Sequence, residues 1–126
     1  MPELRPQTAL TRTAYSLIST GTETMAILGR RANPDAKRPD AAIGYTNSGV
    51  VIQAGPGMEH LSPGDRVGCY GSSFAPAGHV ANSLVSRHLC IPLPDSVSLR
   101  QAAFTGLGGI AVQAVRQARL SFGWTA

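Results

Sequence analysis

GYTNSGVVIQA, residues 44–54, is the stretch on which the fold turns. Gly44 and Gly49 enclose hydroxyl and amide side chains, which predicts a turn over 44–49. The β-branched run that follows predicts the strongest strand of the chain, over 50–54. Gly55-Pro56-Gly57 stops that strand. Ser62-Pro63-Gly64-Asp65 then supplies a tight reversal, with Pro63 presetting one dihedral and Gly64 free to take a left-handed one. Residues 66–70 (RVGCY) are the returning strand. Working outward, 8–15 (TALTRTAY) alternates well enough for a strand with one solvated face, and 77–84 and 88–92 are further strands. Five or six short strands divided by Gly and Pro predict a closed or partly closed β-barrel.

Between the first strand and the central turn, residues 16–23 (SLISTGTE) form a hydroxyl-rich turn. A short helical turn is possible over 24–28, and 29–41 reads as a polar loop of a length that often borders a site. Past Pro94 the texture changes. Asp95 or Ser96 can cap a helix, and Leu99, Ala103, Leu107, Ile110, Ala114 and Ala118 recur at helical spacing, with a break expected near 106–109. Phe104, Ala111 and Val115 extend the apolar surface to a second face. A helix apolar on two sides normally lies between two bodies, of which this chain supplies one. The expected division is a barrel over 1–98 and a helical passage over 99–126.

Composition narrows the function classes. The 126 residues are 43% hydrophobic and 14% charged, too apolar for a disordered chain. No unbroken apolar run reaches membrane-spanning length, so no membrane partner is expected. Fourteen glycines and nine prolines, about 18% of the chain against roughly 12% in average usage, favour a turn-rich β architecture. The net charge of +4 rests on arginines scattered along the sequence. Only Arg30, Arg31, Lys37 and Arg38 gather, without interleaved aromatics, so nucleic-acid binding is not expected. Cys69 and Cys90 sit in apolar stretches without a paired spacing pattern and read as packed, reduced thiols, the usage of a cytoplasmic protein. The first ten residues carry no apolar core of a secretory signal.

Four segments occur in order: Tyr15-Ser16-Leu17-Ile18-Ser19-Thr20-Gly21-Thr22-Glu23, then Gly44-Tyr45-Thr46-Asn47-Ser48-Gly49-Val50-Val51. Leu61-Ser62-Pro63-Gly64-Asp65-Arg66-Val67 follows, and then Ile91-Pro92-Leu93-Pro94-Asp95-Ser96-Val97-Ser98 with Ala102-Ala103-Phe104. As an ordered set they resemble the N-terminal catalytic domain of the medium-chain dehydrogenase/reductase superfamily, the GroES-like barrel of alcohol dehydrogenase and quinone oxidoreductase relatives. The resemblance implies a mainly β (α+β) fold: a GroES-like, partly open β-barrel with a C-terminal helix.

Zinc-dependent members hold their catalytic metal with a Cys before a Gly-Thr-Asp-like turn and a His in a Gly-His-Glu segment. Here the matching positions are Thr20 and Tyr45, and Thr46 stands where the neighbouring acid would be. Neither neutral hydroxyl replaces a thiolate or an imidazole on Zn²⁺, so the resemblance implies a site with no zinc. Cys69, His79, His88 and Cys90 match no ligand spacing either and read as packing and surface residues, and His60 reads as a turn residue.

Without a metal, hydrogen-bond donors must meet a substrate oxygen. The resemblance places Tyr45, Thr20 and Ser19 at the catalytic cleft, with Tyr45 polarising a carbonyl or passing a proton. Thr20 and Thr22 are the candidates for fixing the nicotinamide ribose. The alternative for all four is that their hydroxyls cap turns and bond to backbone. Glu23 reads as a solvated or turn-bonded acid, with a proton relay as the other possibility. Gly106-Leu107-Gly108-Gly109-Ile110-Ala111 formally satisfies a dinucleotide fingerprint, but a helix precedes it and no acid follows Asp95, so it is a decoy.

The chain is therefore expected to be the substrate-side fragment of a zinc-independent NAD(P)-dependent oxidoreductase, inactive alone. NAD(P) is expected only with a Rossmann domain that would begin beyond Ala126, and the partner of the complete enzyme is a small carbonyl or alcohol substrate. The competing expectation is a non-catalytic GroES-like interaction module that self-associates. A homo-oligomer fits both, because an uncovered Leu107, Ile110, Ala114 and Val115 surface favours association.

Overall fold

The computed structural model describes residues 4–34, 43–71 and 78–119. Five strands, β1 (Thr8–Ser16), β2 (Thr46–Ala54), β3 (Arg66–Tyr70), β4 (Asn82–Ser86) and β5 (Cys90–Pro92), form one antiparallel sheet in the order β4-β1-β2-β3-β5. The sheet curls into a half-barrel, the partly open form that the turn spacing predicts. Helix α1 (Thr20–Ala32) follows β1; α2 (Leu99–Ala102) and α3 (Thr105–Gln117) close the described chain.

The reversal between β2 and β3 is built as its sequence requires. Gly64 takes φ +97°, and Asp65 accepts a hydrogen bond from the Ser62 N–H at 2.7 Å. The strand before it begins earlier than expected, at Thr46 and not at Val50. Polar residues enter this central strand because each finds a partner. The Thr46 hydroxyl donates to the Ala103 carbonyl at 2.8 Å, and the Ser48 hydroxyl donates to that of Leu99. Asn47 Nδ2 donates to Ser83 Oγ at 2.9 Å and to the Gly78 carbonyl at 3.2 Å.

Alternation along the strands gives the sheet two working faces. The inner face carries the core, in which Ala9, Val51, Met58, Leu61, Val67, Cys69, Val85 and Cys90 pack together. On the other face Thr46 and Ser48 bond the backbone around α2, and Gly68 lies against Thr105 and Ala102.

Several elements depart from expectation, each for a local reason. Helix α1 runs from Thr20 to Ala32 and takes in the end of the expected turn and the front of the expected polar loop; residues 35–41 of that loop lie outside the described residues. Glu23 in its first turn and Arg30 and Arg31 in its last complement the helix dipole. The expected strand over 77–84 is Asn82–Ser86, with Ala77 outside the described residues, and 88–92 divides into a 3₁₀ turn at Arg87–Leu89 and β5. Neither Asp95 nor Ser96 caps α2. Residues 94–97 are spent in a turn, where the Val97 N–H donates to Pro94 O at 3.1 Å, so Ser98 becomes the cap. It forms a capping box with Gln101. The break falls at Ala103–Phe104, and the glycines expected to interrupt the helix lie inside α3.

His60 is on an exposed turn, as expected. Among the described residues no helix is long and apolar enough to cross a membrane.

Candidate active-site face

Ser19 is the N-cap of α1, and its side chain makes no capping hydrogen bond. The capping function passes to an acid instead. Glu23, one turn into the helix, accepts the Ser19 N–H on Oε1 at 2.8 Å. Its other oxygen, Oε2, lies 2.9 Å from His79 Nε2, and His79 Nδ1 lies 2.8 Å from Ser16 Oγ. The Glu23 side chain is only 8% exposed, so Glu23 is turn-bonded and buried, and not solvated. Burial alone would push its carboxyl up; the Ser19 N–H, the His79 hydrogen bond and the His79 charge outweigh this and hold it below the usual carboxylate range.

His79 reaches this position through the backbone. Its N–H donates to Ile43 O at 2.9 Å, and its ring covers Gly44, where a Cβ would lie 2.9 Å from Nε2. Gly44 also has φ +94°, a conformation strained for any other residue. His79 therefore clamps the Ser19–Glu23 turn against the start of the Gly44–Tyr45 segment, joining two of the four stretches that carry the family resemblance.

The four hydroxyl residues singled out in the sequence stand on either side of this clamp. Ser19, Thr20 and Thr22 occupy the N-terminus of α1, with Thr20 and Thr22 exposed. Tyr45 follows Gly44 directly. It is half-buried, with its ring edge-to-face against Tyr70 at 5.7 Å between centroids and 88° between planes. Tyr70 in turn forms one wall of a cavity of about 300 Å³ between β3, β5 and α3, lined by Tyr70, His88, Leu89, Ile91, Thr105, Gly106, Gly109 and Ile110. The cavity is mostly apolar, and beside it the helix approaches the sheet closely: at Gly106 a Cβ would come within 2.5 Å of the Tyr70 ring.

Sequence reasoning missed the clamp and the cavity. By sequence spacing His79 groups only with Cys69, His88 and Cys90. The available signal was a lone acid after an unsatisfied N-cap, but its histidine lies 56 positions away and no local periodicity links the two. Among the described residues no group of three or more His, Cys, Asp or Glu side chains could hold a metal ion. Thr20 and Tyr45 add only neutral oxygens, a poor donor set for zinc.

Half-barrel order, reversal and trailing helices recur in solved proteins. A Pseudomonas syringae quinone oxidoreductase superposes on 94% of this chain with a TM-score of 0.73 and 28% identity, the chain covering 35% of that protein. The Escherichia coli quinone oxidoreductase solved with NADPH superposes on 96%, at TM-score 0.72 and 20% identity, with 36% of it covered. The fold is the GroES-like domain of the medium-chain dehydrogenase/reductase superfamily. No family model matches the sequence of this GroES-like chain. Among curated proteins it is 38% identical over 72 residues to the Salmonella typhimurium quinone oxidoreductase, a match covering 57% of the chain and 21% of that enzyme. It is 43% identical over 61 residues to a highly reducing polyketide synthase of Purpureocillium lilacinum, covering 48% of the chain and 2% of the synthase. The chain thus spans little more than a third of the solved oxidoreductases it resembles.

Proposed function

We propose that this chain is the substrate-side domain of an NAD(P)-dependent, zinc-independent oxidoreductase of the medium-chain type, acting on a small carbonyl or alcohol. One observation carries the reading. The two motif positions that would hold zinc are hydroxyls, Thr20 and Tyr45, and the Glu23–His79 clamp holds together the two segments that carry them. Tyr45 donates a hydrogen bond to the substrate oxygen as negative charge develops there, with Ser19 and Thr20 beside it. Thr22 and Thr20, exposed on the first turn of α1, hold the nicotinamide ribose. Hydride chemistry comes with NAD(P), which a dinucleotide-binding domain would supply; alone, the chain neither binds NAD(P)H tightly nor turns over.

The test is a chimera that joins this domain to the dinucleotide domain of a quinone oxidoreductase and follows NADPH consumption with a quinone and enone panel. Turnover insensitive to zinc chelation is expected, with kcat falling about a hundredfold in Tyr45→Phe. Turnover that chelators abolish overturns the zinc-free reading. Low-micromolar NADPH binding by the isolated chain overturns the division of labour.

A second reading is favoured by the surface of α3, where Ile110, Val112 and Val115 are 55–60% exposed: a self-associating module, compatible with the first reading. A homo-oligomer that buries these residues is expected. A strictly monomeric sedimentation profile at high micromolar concentration overturns it. As an oxidoreductase of this kind the protein would work in the cytoplasm.

A further inference from the structure

β5 is a short edge strand, held to β3 by three residue pairs: Val67 with Pro92, Gly68 with Ile91, and Cys69 with Cys90. The hydrogen bonding shows which of these pairs are narrow. Leu93 donates its N–H to Arg66 O at 2.9 Å, so Arg66 and Leu93 form a hydrogen-bonded pair. Such pairs alternate with non-hydrogen-bonded ones along an antiparallel ladder. Val67 opposite Pro92, which has no N–H, is accordingly non-bonded; Gly68 with Ile91 is bonded, and Cys69 with Cys90 is non-bonded. In that class opposing Cα atoms are about 4.5 Å apart and side chains stand closest. That separation falls within the roughly 4.4–6.8 Å that disulfides span.

Both sulfurs lie on the inner face, in one cluster, at 0% and 2% exposure. They are free thiols and take no part in the chemistry proposed above. Hydrogen bonding between the two sulfurs, burial and the adjacent Cys90 charge push the Cys69 thiol up, and the same hydrogen bonding draws Cys90 down against its own burial.

We propose that Cys69 and Cys90 are a redox-modification site, a dithiol that a small hydroperoxide converts reversibly into a cross-strand disulfide. The Cys90 thiolate attacks the distal oxygen and the O–O bond breaks; a Cys90 sulfenic acid forms, and the leaving oxygen takes the proton that the Cys90 thiol lost and departs as water or an alcohol. The Cys69 sulfur then attacks the sulfenic sulfur, the S–S bond forms, and the sulfenic hydroxyl leaves as water with the Cys69 proton. Two electrons pass from the two thiols to the peroxide. Burial selects a small neutral oxidant over a bulky disulfide, and the adjacent resolving thiol intercepts the sulfenic acid before further oxidation. The bridge fastens β5, whose outward-facing Ile91 lines the cavity, and closes the segment that carries His79.

The experiment treats the folded 126-residue chain with hydrogen peroxide, then titrates thiols in denaturant and maps peptides by mass. Expected are two thiols falling to none, a peptide pair linking Cys69 to Cys90 with two hydrogens lost, and full recovery with dithiothreitol. Exchange of the Ile91 amide should slow about tenfold in the oxidised form. In Cys69→Ser, Cys90 should yield a sulfenic acid trapped by dimedone. Sulfinic or sulfonic acids in the wild-type chain, dimers linked through cysteine, or two intact thiols at peroxide levels that oxidise its methionines would each overturn the proposal. The wild-type peptide map decides alone if the variant does not fold.

Discussion

Helices α1 and α3 are both thirteen residues long, and each buries a single residue. In α1 that residue is Glu23, a charge; in α3 it is Gly106, which has no side chain. The two helices are therefore docked by opposite means. α1 is pinned at one end by a carboxylate that reaches a backbone amide and a histidine. α3 is held by close approach, its Gly106 N–H donating to Thr46 Oγ1 at 3.3 Å while its Cα faces Tyr70. Both leave apolar side chains in the open, Met25 and Leu28 on one, Ile110, Val112 and Val115 on the other. Contact at one end of a helix is enough to position a site, and the rest of the helix is left for other surfaces.

The sharpest way to break the comparison is at Gly106. Gly106→Val drives a branched side chain into the Tyr70 ring and should cost about 3 kcal/mol, lower Tm, and open the cavity, read by calorimetry and Tyr70 ring-proton shifts. A Tm unchanged in that variant would show that α3 is not held by close packing.

A smaller effect is expected at the charged anchor. Because the folded-state Glu23 carboxyl titrates below its usual 4.5, its contribution is complete above that value and is lost as pH falls through the lower folded-state value. Glu23→Gln should cost about 1–2 kcal/mol at neutral pH and remove that acid-side loss, measured by urea unfolding across pH 3–7. The same acid-side slope in wild type and variant would detach α1 from this pair.

The smallest effect should come from the open surface. Val112→Lys ought to change stability by no more than about 0.5 kcal/mol while abolishing self-association in sedimentation. A stability loss of several kcal/mol would mean that the outer face of α3 is packed against something within the chain.

Much of the fold was legible because its determinants are local. Pro63, Gly64 and Asp65 specify a reversal by their own dihedrals and one side-chain bond, and β1 and β3 announce themselves by composition. The extension of β2 back to Thr46 was not legible. A run of Thr, Asn and Ser lacks a strand's apolar signature, and its place depends on partners 31 to 57 residues away. The hydroxyls of Ser19, Thr20, Thr22 and Tyr45 were found from motif positions, whereas His79 was not, since its only claim to a role is the carboxylate across from it.

By itself the sequence determined the half-barrel, its turn chemistry and the hydroxyls at two motif positions, since each is encoded in a few neighbouring residues. Tertiary structure alone decided that Glu23 meets His79, that Cys69 faces Cys90 across a narrow pair, and that Gly106 lets α3 approach Tyr70. Those contacts depend on strand register and helix placement, which arise from burying one sheet face as a whole and leave no short-range trace in the chain.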